Sequence, residues 1–276
     1  MKKLLLALAT LVLVACSQQE IEQPKGEKAI TFYAVHNYGT RATLEADGGV
    51  LTDLWILDYM DGVLVQSLHQ TSDQTDFAEP TLPIAYGSHH IYFVGSRGVE
   101  PTLDTDAHTL TFGTVRDTFW KDYAIDVTAS TSSDRTVMLD RVVTRLRMVV
   151  NDEVPATIDK LRLAISTWFF GIDYMTGEPT AQGIRDNEID VPDSYKGTTG
   201  NLSVSVYGFS GQDIWTTDVT FSAVGTSGET LGSVTIADAP FKRNRITQYS
   251  GNLFASLGKM GVGLNTEWDS NYEGSW

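Results

Sequence analysis

Residues 135–150 read RTVMLDRVVTRLRMVV, and this stretch alternates in the manner of a β-strand. Successive side chains of a strand point to opposite faces. One face holds Val137, Leu139, Arg141, Val143, Arg145 and Arg147, and the other holds Met138, Asp140, Val142, Thr144, Leu146 and Met148. The pattern predicts one long strand or two successive strands, ended by the turn-forming residues NDEVP at 151–155. We expect a domain boundary near residues 147–155.

Strand-like patterns recur on both sides of this stretch, and few segments keep helical periodicity. The Asp61-Gly62 pair indicates a tight hairpin between two of these strands. Residues 171–200 are rich in Gly, Pro, Asp and Thr, and we expect a long loop there, either at the surface or at a partner's binding site. The chain is therefore predicted to be all-β, with turns at intervals typical of β-sandwiches. The candidate strands are residues 29–35, 51–57, 63–65, 90–94, 109–112, 158–166, 202–209, 219–224, 231–236 and 261–268.

The chain begins MKKLLLALATLVLVACSQQE, with two lysines followed by a short apolar run at residues 4–15. This run is too short to span a bilayer and is typical of a secretory signal. LVAC at residues 13–16 fits the bacterial lipobox, and Cys16 is the single cysteine of the chain. We predict a signal peptide over residues 1–15, lipid attachment at Cys16, and a flexible tether over residues 16–28.

The net charge of −15 disfavours nucleic acid as a partner, since a phosphate backbone selects for Lys and Arg. One basic cluster interrupts this acidity: FKRNRITQYSGNLF at residues 241–254 contains Lys242, Arg243 and Arg245. We expect a strand from residue 240 onward that places Arg243 and Arg245 on one face, against acidic neighbours. The alternative is that the cluster contacts an anionic partner.

Catalytic constellations are absent from the sequence, which contains neither a Gly-x-Ser-x-Gly nor a His-Glu-x-x-His motif. We expect no enzyme activity, no catalytic residue, no cofactor and no metal. His89 and His90 adjoin, but neighbours on a strand point apart, so an exposed pair is favoured over metal ligands. Asp104 and Asp106 are expected in a solvated turn.

Three aromatic residues are consecutive at residues 168–170, and Trp215 and Trp268 follow later in the chain. Such residues could form a sugar-stacking surface, but they are more often core residues of a sandwich. We favour the core interpretation.

Several segments together resemble the fimbrillin-like (Mfa-like) lipoproteins, which are subunits and anchors of the type V pilus. The similar segments lie in the family's order along the chain. They are LTDLWILDYMDGVLV at 51–65, LPIAYGSHHIYFVGSRG at 82–98, DRVVTRLRMVVNDEVP at 140–155, residues 241–254, and GVGLNTEWDSNYEGSW at 261–276.

The resemblance implies two tandem transthyretin-like β-sandwich domains after a lipoprotein signal peptide. The expected domains cover residues 29–147 and 148–276. It also implies a surface-exposed, lipid-anchored protein of the cell outer membrane, held by the acyl chains on Cys16 or released into fimbriae. Its partners would be other pilus subunits, and a host or glycan ligand is left unidentified.

The family's mechanism is strand exchange: a protease cuts after the first strand, and a strand of the next subunit fills the groove. The resemblance places the cut after Arg41 and the lost strand at residues 30–35, with Ile30, Phe32 and Ala34 alternating. The donor would be the C-terminal strand that carries Val262, Leu264 and Trp268. Two alternatives stay open: the chain remains whole, as in pilus anchors, and the C-terminal strand belongs to its own sandwich.

Only residues 269–276 follow the expected last strand, which favours an anchor, accessory or tip role over a stalk role. A different class of function is a glycan-binding outer-membrane lipoprotein of a nutrient-uptake system. Exposed, coplanar aromatic rings around Trp168 or Trp215 would favour that second function.

Overall fold

The structure is a computed structural model that describes residues 26–36, 51–98, 100–200, 202–254 and 259–262. In these ranges the regular structure is β-strand, apart from one 3₁₀ turn at Asp193–Tyr195. The prediction of an all-β fold is confirmed.

Nine strands precede Val142 in the chain, and seven of them build the first sandwich. The nine strands are β1 (Glu27–His36), β2 (Asp53–Met60), β3 (Val63–Thr71), β4 (Thr81–Ala85), β5 (Gly87–Ser96), β6 (Thr102–Asp104), β7 (Thr109–Thr111), β8 (Phe119–Val127) and β9 (Asp134–Arg141). Seven of them are hydrogen-bonded in the order β3-β2-β5-β8-β9-β1-β4. β8 and β9 pair at only two positions, Phe119 with Arg141 and Trp120 with Asp140. The path therefore folds over at this point into two facing layers.

The core of this first sandwich lies between the layers β3-β2-β5-β8 and β9-β1-β4. Its side chains alternate along each strand, as the period of two requires. β1 contributes Ile30 and Phe32, and β9 contributes Val137 and Leu139. The remaining buried members come from the neighbouring strands and from residue 51: Leu51, Leu54, Ile56, Leu82, Ile84, Ile91, Phe93, Phe119 and Val127.

The other eight strands build the second half. They are β10 (Val143–Val150), β11 (Ile158–Asp173), β12 (Pro179–Asp190), β13 (Leu202–Phe209), β14 (Trp215–Gly225), β15 (Thr230–Phe241), β16 (Ile246–Asn252) and β17 (Lys259–Val262). One layer has the order β13-β10-β16-β17, and the other places β11 between β12 and β14, with β15 outside β14. The β6–β7 hairpin joins this second layer, because β7 pairs with residues 171–173 of β11. A second apolar core, which includes Leu146, Trp168 and Phe221, lies between them.

The two sandwiches have the same connectivity. In the first, β1 pairs antiparallel with β4 and parallel with β9, while β2 pairs with β3 and β5, and β5 with β8. In the second, β10 pairs antiparallel with β13 and parallel with β16, while β11 pairs with β12 and β14, and β14 with β15. The β6–β7 hairpin precedes β8 in the chain, but it extends a layer of the second sandwich, because β7 pairs with the end of β11. β17 extends the other layer of that sandwich beside β16.

The stretch at residues 135–150 forms two strands, β9 and β10, which separate at Val142. In β9 the buried residues have odd numbers, such as Val137 and Leu139, whereas in β10 Leu146 and Met148 are buried. A shift of one residue exchanges the two faces of a strand, so the break at Val142 gives each strand its own core. Of the two alternatives predicted, two successive strands is the one confirmed.

A third apolar cluster joins the sandwiches. The outer face of β2 and β5, including Tyr59 and Tyr92, packs against Leu110 of β7 and against Ile172 and Tyr174 at the end of β11. The Tyr59 and Tyr174 hydroxyls are 2.7 Å apart and hydrogen-bonded, and burial raises the pKa of Tyr174. The predicted domain limits of 29–147 and 148–276 stay a prediction, as does the transthyretin-like type of sandwich.

The loops show one confirmation and one correction. Asp61 and Gly62 both have positive φ, 52° and 76°, as a tight hairpin between β2 and β3 requires. The prediction of a long loop over residues 171–200 is wrong, because β12 occupies Pro179–Asp190. The turn-forming residues lie at the two ends of that strand. Most of its residues are polar, so no alternation of apolar and polar side chains marks it as a strand.

Candidate functional site

β1 carries three of the residues predicted for strand exchange, and it is an interior strand of its layer. Residues 31–36 pair in parallel with β9, and residues 27–31 pair antiparallel with β4. Beyond β4, the backbone N–H groups of Phe32 and Ala34 donate to the carbonyls of Pro80 and Ala78. Removing β1 would therefore leave hydrogen-bonding groups unpaired on both of its neighbours.

The side chains of β1 that face inward fill the centre of the first core. Ile30 and Phe32 are fully buried, and Ala34 is half-buried. The Phe32 ring centroid lies 5.5 Å from that of Phe93 and 6.1 Å from that of Tyr123. Burying side chains of this size stabilises a fold by about 1.5–3 kcal/mol each. An exchanged strand would have to supply comparable apolar groups at alternate positions.

The outward face of β1 is amphipathic. Tyr33 donates a hydrogen bond from its hydroxyl to Asp134 Oδ1 at 3.3 Å, and the Asp134 carboxylate raises the pKa of Tyr33. Val35 and Met138 lie opposite each other in the β1–β9 register and are 42% and 45% exposed. This pair leaves an apolar spot at the end of β1 that leads into residues 37–50.

The predicted donor strand is described only at its beginning. β17 pairs antiparallel with β16, with Val262 opposite Tyr249 and Lys259 opposite Asn252. It is thus a strand of the second sandwich. The other predicted site residues, Cys16, Arg41, Leu264 and Trp268, lie outside the described residues.

His89 and His90 point to opposite faces of β5, as predicted, but the expectation of an exposed pair is wrong for His89. The side chain of His89 is buried, and its Nδ1 lies 2.8 Å from Asp58 Oδ1 while its Nε2 lies 3.0 Å from the Ala85 carbonyl. His90 is exposed and lies beside Asp122. Burial raises the pKa of Asp58, with the hydrogen bond from His89 acting in the opposite direction.

The basic cluster lies in a turn, so the predicted strand from residue 240 onward is wrong. β15 ends at Phe241, and Asn244 has a φ of 56°. Arg243 is buried and donates through Nε to the Ser210 carbonyl at 2.8 Å and through Nη2 to the Gly177 carbonyl. Its Nη2 also lies 3.3 Å from Glu178 Oε1. The expectation of an acidic neighbour is confirmed for Arg243, whose partners are structural.

The aromatic residues around Trp168 belong to the second core, as favoured from the sequence. Trp168 is fully buried, and its Nε1 donates to the Tyr207 carbonyl at 2.9 Å. Trp215 is half-buried, with its ring 6.0 Å from Trp168 at an interplanar angle of 61°. These rings are neither coplanar nor exposed together, which removes the observation that would have favoured a sugar-stacking surface.

Asp104 lies at a turn, where its carboxylate accepts hydrogen bonds from the backbone N–H groups of Asp106 and Ala107. The described ranges contain no group of three or more His, Cys, Asp and Glu side chains that could hold a metal ion. Within the same ranges no helix is long and apolar enough to cross a membrane.

The protein belongs to the class of all-β proteins with two β-sandwiches, which here have the same strand connectivity and are joined through an apolar cluster. The model of a family of unknown function, DUF6562, matches residues 102–276, which is more than half of the chain. The chain therefore belongs to that family. No curated protein matches the chain.

Several solved structures of proteins from Bacteroides species have a similar fold. A candidate adhesin of Bacteroides thetaiotaomicron matches with a TM-score of 0.56 and 10% identity, over 89% of this chain and 97% of that chain. A candidate cell adhesion protein of Bacteroides ovatus matches with a TM-score of 0.54 and 11% identity, over 87% of this chain and 97% of that chain. A candidate polysaccharide-binding protein of Bacteroides thetaiotaomicron, of the family DUF1812, matches with a TM-score of 0.53 and 7% identity, over 88% of this chain and 96% of that chain. At these identities the likeness concerns the fold alone.

Asp58, which contacts His89, and Arg185 on β12 are among the buried polar residues that were not singled out from the sequence. The signal for Arg185 was the alternation in IRDNEID, residues 184–190, where every second residue is acidic. That pattern predicts a strand with one charged face, but it does not show what the opposite face contacts.

Proposed function

We propose that this chain is a fimbrillin-type adhesion subunit of the bacterial cell surface, anchored through Cys16 and joined to neighbouring subunits by exchange of β-strands. The observation that carries the proposal is the position of β1. It is an interior strand that supplies Ile30 and Phe32 to a core, and residues 37–50 connect it to the rest of its sandwich. Arg41, in that connection, would be the site of cleavage.

The physical basis would be β-augmentation. Loss of β1 exposes a groove between β9 and the segment from residue 78 to β4, lined on both sides by unpaired backbone groups. An extended peptide that enters this groove recovers main-chain hydrogen bonds, and its alternate side chains set the register. The C-terminal residues Val262, Leu264 and Trp268 have the required alternation of apolar groups. Phe93 and Tyr123 would line the pocket that the Phe32 ring leaves.

Two further facts support a role in adhesion outside the cell. The N-terminal sequence has the features of a lipoprotein signal. The fold is shared with candidate adhesins and cell adhesion proteins of Bacteroides.

The proposal is tested by limited digestion of the purified full-length protein with an arginine-specific protease. We expect one early cut, after Arg41, followed by the appearance of oligomers in size-exclusion chromatography and of filaments in electron micrographs. An Arg41→Gln variant, treated in the same way, should stay whole and monomeric.

Two results would contradict the proposal. If the wild-type chain is cut after Arg41 but stays monomeric, the groove does not accept a donor strand and the exchange mechanism is wrong. Surface-shed protein that always begins at the lipidated Cys16 would show that cleavage does not occur in the cell.

A further inference from the structure

β3 is an edge strand of the first sandwich, and its outer edge is free in the part of the chain that the structure describes. It pairs with β2 on one side, and the order of its layer ends there. Apart from this pairing, the backbone groups of residues 63–69 make no hydrogen bond to another described residue. At every second residue along this edge, the N–H and C=O groups therefore point away from the sheet.

Other edges of the layers carry features that discourage pairing with another chain. β4 is five residues long and contains Pro83, which has no N–H group to donate. β12 carries charged residues such as Asp186 and Glu188. β15 is irregular at Asp238, where φ is 53°. Short length, proline, charge and irregular backbone all protect an edge, whereas β3, with the sequence VLVQSLHQT, contains no Lys, Arg, Asp, Glu or Pro.

β13, with the sequence LSVSVYGF, is a second long edge strand without a charged residue. Arg145 of the neighbouring strand β10 donates from Nη2 to Ser205 Oγ at 3.0 Å, so a cation lies beside this edge. The exposed side chain of β13 is Ser203, whereas β3 exposes Val63 and Val65 by 63% and 53%. β3 is thus long, uncharged and apolar at its surface, which is the kind of edge that pairs with another strand.

Most of β3 is regular enough to template a further strand. A β-bulge interrupts its register with β2 near the hairpin, between the pair Asp58–Gln66 and the pair Tyr59–Leu64. From Gln66 to Thr71 each residue lies opposite one residue of β2. The bulge therefore limits pairing only at the hairpin end, and residues 66–71 keep the even spacing that a ladder of hydrogen bonds requires.

The regular part of β3 has a sequence that is close to a palindrome, QSLHQ at residues 66–70. When two such strands pair antiparallel about Leu68, this leucine lies opposite its own copy. Gln66 then lies opposite Gln70 of the other molecule, and Ser67 lies opposite His69. A two-fold axis perpendicular to the sheet relates the two molecules, so each strand presents the same patch to the other.

The two glutamines of this palindrome have complementary hydrogen-bonding groups. Gln70 donates from Nε2 to the Asp76 carbonyl at 3.0 Å, and its Oε1 accepts from the Ala78 N–H at 3.1 Å. These bonds fix the orientation of the Gln70 amide and leave one N–H and one lone pair of it for a further partner. The amide of Gln66, half-buried on the same face of β3, can supply both.

The opposite face of β3 is complementary in the same way. The His69 ring is stacked on Trp55 with the ring centroids 4.1 Å apart, and its Nε2 lies 3.1 Å from Asp53 Oδ1. When Nε2 donates to that carboxylate, Nδ1 is left as an acceptor. The exposed hydroxyl of Ser67 in the other molecule can donate to it.

We infer that β3 is a docking edge for a second copy of this chain, with the two β3 strands antiparallel about Leu68 and the two first sandwiches joined side by side. The net charge of −15 makes two copies repel each other. They can approach with the least repulsion along a strand that carries no acidic residue. The contact does not depend on strand exchange at β1, because β3 takes no part in that exchange.

The size of the contact sets the expected affinity. One pair of short strands buries less than the area of about 1,200 Å² that specific, stable interfaces reach, which is typical of transient contacts. We expect a dissociation constant of about 0.1 mM. This value lies above the micromolar concentrations of size-exclusion chromatography, so the uncut protein should elute there as a monomer.

The test measures the mass of the full-length Arg41→Gln chain by sedimentation equilibrium between about 10 µM and about 1 mM. This chain lacks the proposed cleavage site, so strand exchange does not contribute, and a reducing buffer keeps Cys16 from forming a disulfide. We expect a monomer–dimer equilibrium that strengthens between about 0.05 M and about 0.5 M salt, because salt screens the repulsion between two acidic copies. Amide hydrogen exchange should slow with protein concentration in β3 and not in β13.

Two lysine substitutions in this chain locate the contact. Ser67→Lys places a charge on the edge of β3 and should raise the dissociation constant at least about tenfold. Because Ser67 is exposed, the stability of the monomer should change little. Ser203→Lys places the same charge at an exposed position of β13 and is the matched control, which should associate as the parent chain does.

Three outcomes would overturn the inference. The first is a parent chain that stays monomeric at about 1 mM, ten times the expected dissociation constant. The second is a pair of lysine variants with equal dissociation constants, since the contact would then not be specific to β3. The third is a dimer in which amide exchange in β3 is not slowed, because the two molecules would then meet at another surface.

Discussion

The two sandwiches share one connectivity but fill it differently. The first encloses a buried carboxylate and imidazole, Asp58 and His89, among its apolar side chains. The second has Trp168 and Phe221 at its centre. Because a buried polar pair must be desolvated, it adds less to stability than apolar packing of the same volume. The comparison teaches that two units of equal topology can be filled with different chemistry: a buried polar pair in the first core, and large aromatic side chains in the second.

The same comparison extends to the edges of the layers. In the second sandwich β17 lies against β16, whereas in the first the equivalent strand, β9, pairs with β8 only at Asp140 and Arg141. Among the residues that the structure describes, no strand pairs along residues 134–139 with the edge of β9 that faces away from β1. The first sandwich is therefore the more open of the two at β9, whereas β1 is paired on both sides.

The largest effects are expected from matched deletions in the two cores, Phe32→Ala on β1 and Phe221→Ala on β14. Both side chains are fully buried, and such a change costs about 3–5 kcal/mol. Hydrogen exchange measured by mass spectrometry should show that each variant accelerates amide exchange in the sandwich that contains the substitution.

The contrary outcome is equally informative. If both variants accelerate exchange across all strands to the same degree, the two sandwiches unfold as a single cooperative unit.

The junction between the sandwiches should be nearly as sensitive. Asp117→Ala leaves the buried guanidinium of Arg141 without its two charge-assisted hydrogen bonds, and we expect a loss of about 3 kcal/mol in denaturant unfolding. Asp186→Ala, which removes the exposed partner of Arg162, is the control and should leave the midpoint nearly unchanged. Similar effects of the two changes would refute the structural role of the Arg141–Asp117 pair.

Strand glycines distinguish the packing of the two units on a smaller scale. A Cβ on Gly208 would lie 2.4 Å from Cε2 of Trp168, a rigid ring, whereas a Cβ on Gly95 would lie 2.7 Å from a terminal methyl of Leu51. Gly208→Ala is expected to cost about 1–3 kcal/mol, and Gly95→Ala less, because the leucine methyl can turn away. Gly113→Ala, which has nothing within 4 Å, is the control. Equal costs at Gly208 and Gly95 would contradict the rigid packing of Trp168.

The smallest expected effect is a pH dependence confined to the first sandwich. Burial raises the pKa of Asp58, so the folded state binds its proton more tightly than the unfolded chain, whose carboxyl has a pKa of about 4. This contribution to stability is complete below that value and is lost as the pH rises through the raised pKa, by about 1.4 kcal/mol for each unit of the shift.

Unfolding midpoints measured between pH 4 and pH 8 should therefore fall more steeply for the wild type than for Asp58→Asn. Asp122→Asn, at the exposed His90 pair, should follow the wild type. If the wild type and Asp58→Asn have parallel profiles, the carboxyl of Asp58 does not titrate differently in the folded protein.

Much of this fold was visible in local patterns. The alternation in residues 51–57, 202–209 and 219–224 predicted strands that are present as β2, β13 and β14. The Asp61-Gly62 turn followed from the backbone preference of that pair. β12 was missed because its exposed face is acidic and its ends are rich in turn residues, so no apolar periodicity marked it.

The candidate sites were less predictable, because they depend on which strands become neighbours. Alternation alone determined that this chain is all-β, and that residues 135–150 have two faces. It could not determine that the inward face changes at Val142, that Arg243 lies in a turn and is bound by carbonyls, or that Arg185 is buried. Pairing in the sheets decided those features, because burial and charge compensation depend on residues more than twenty positions apart in the sequence, such as Ser210 with Arg243 and Asp117 with Arg141.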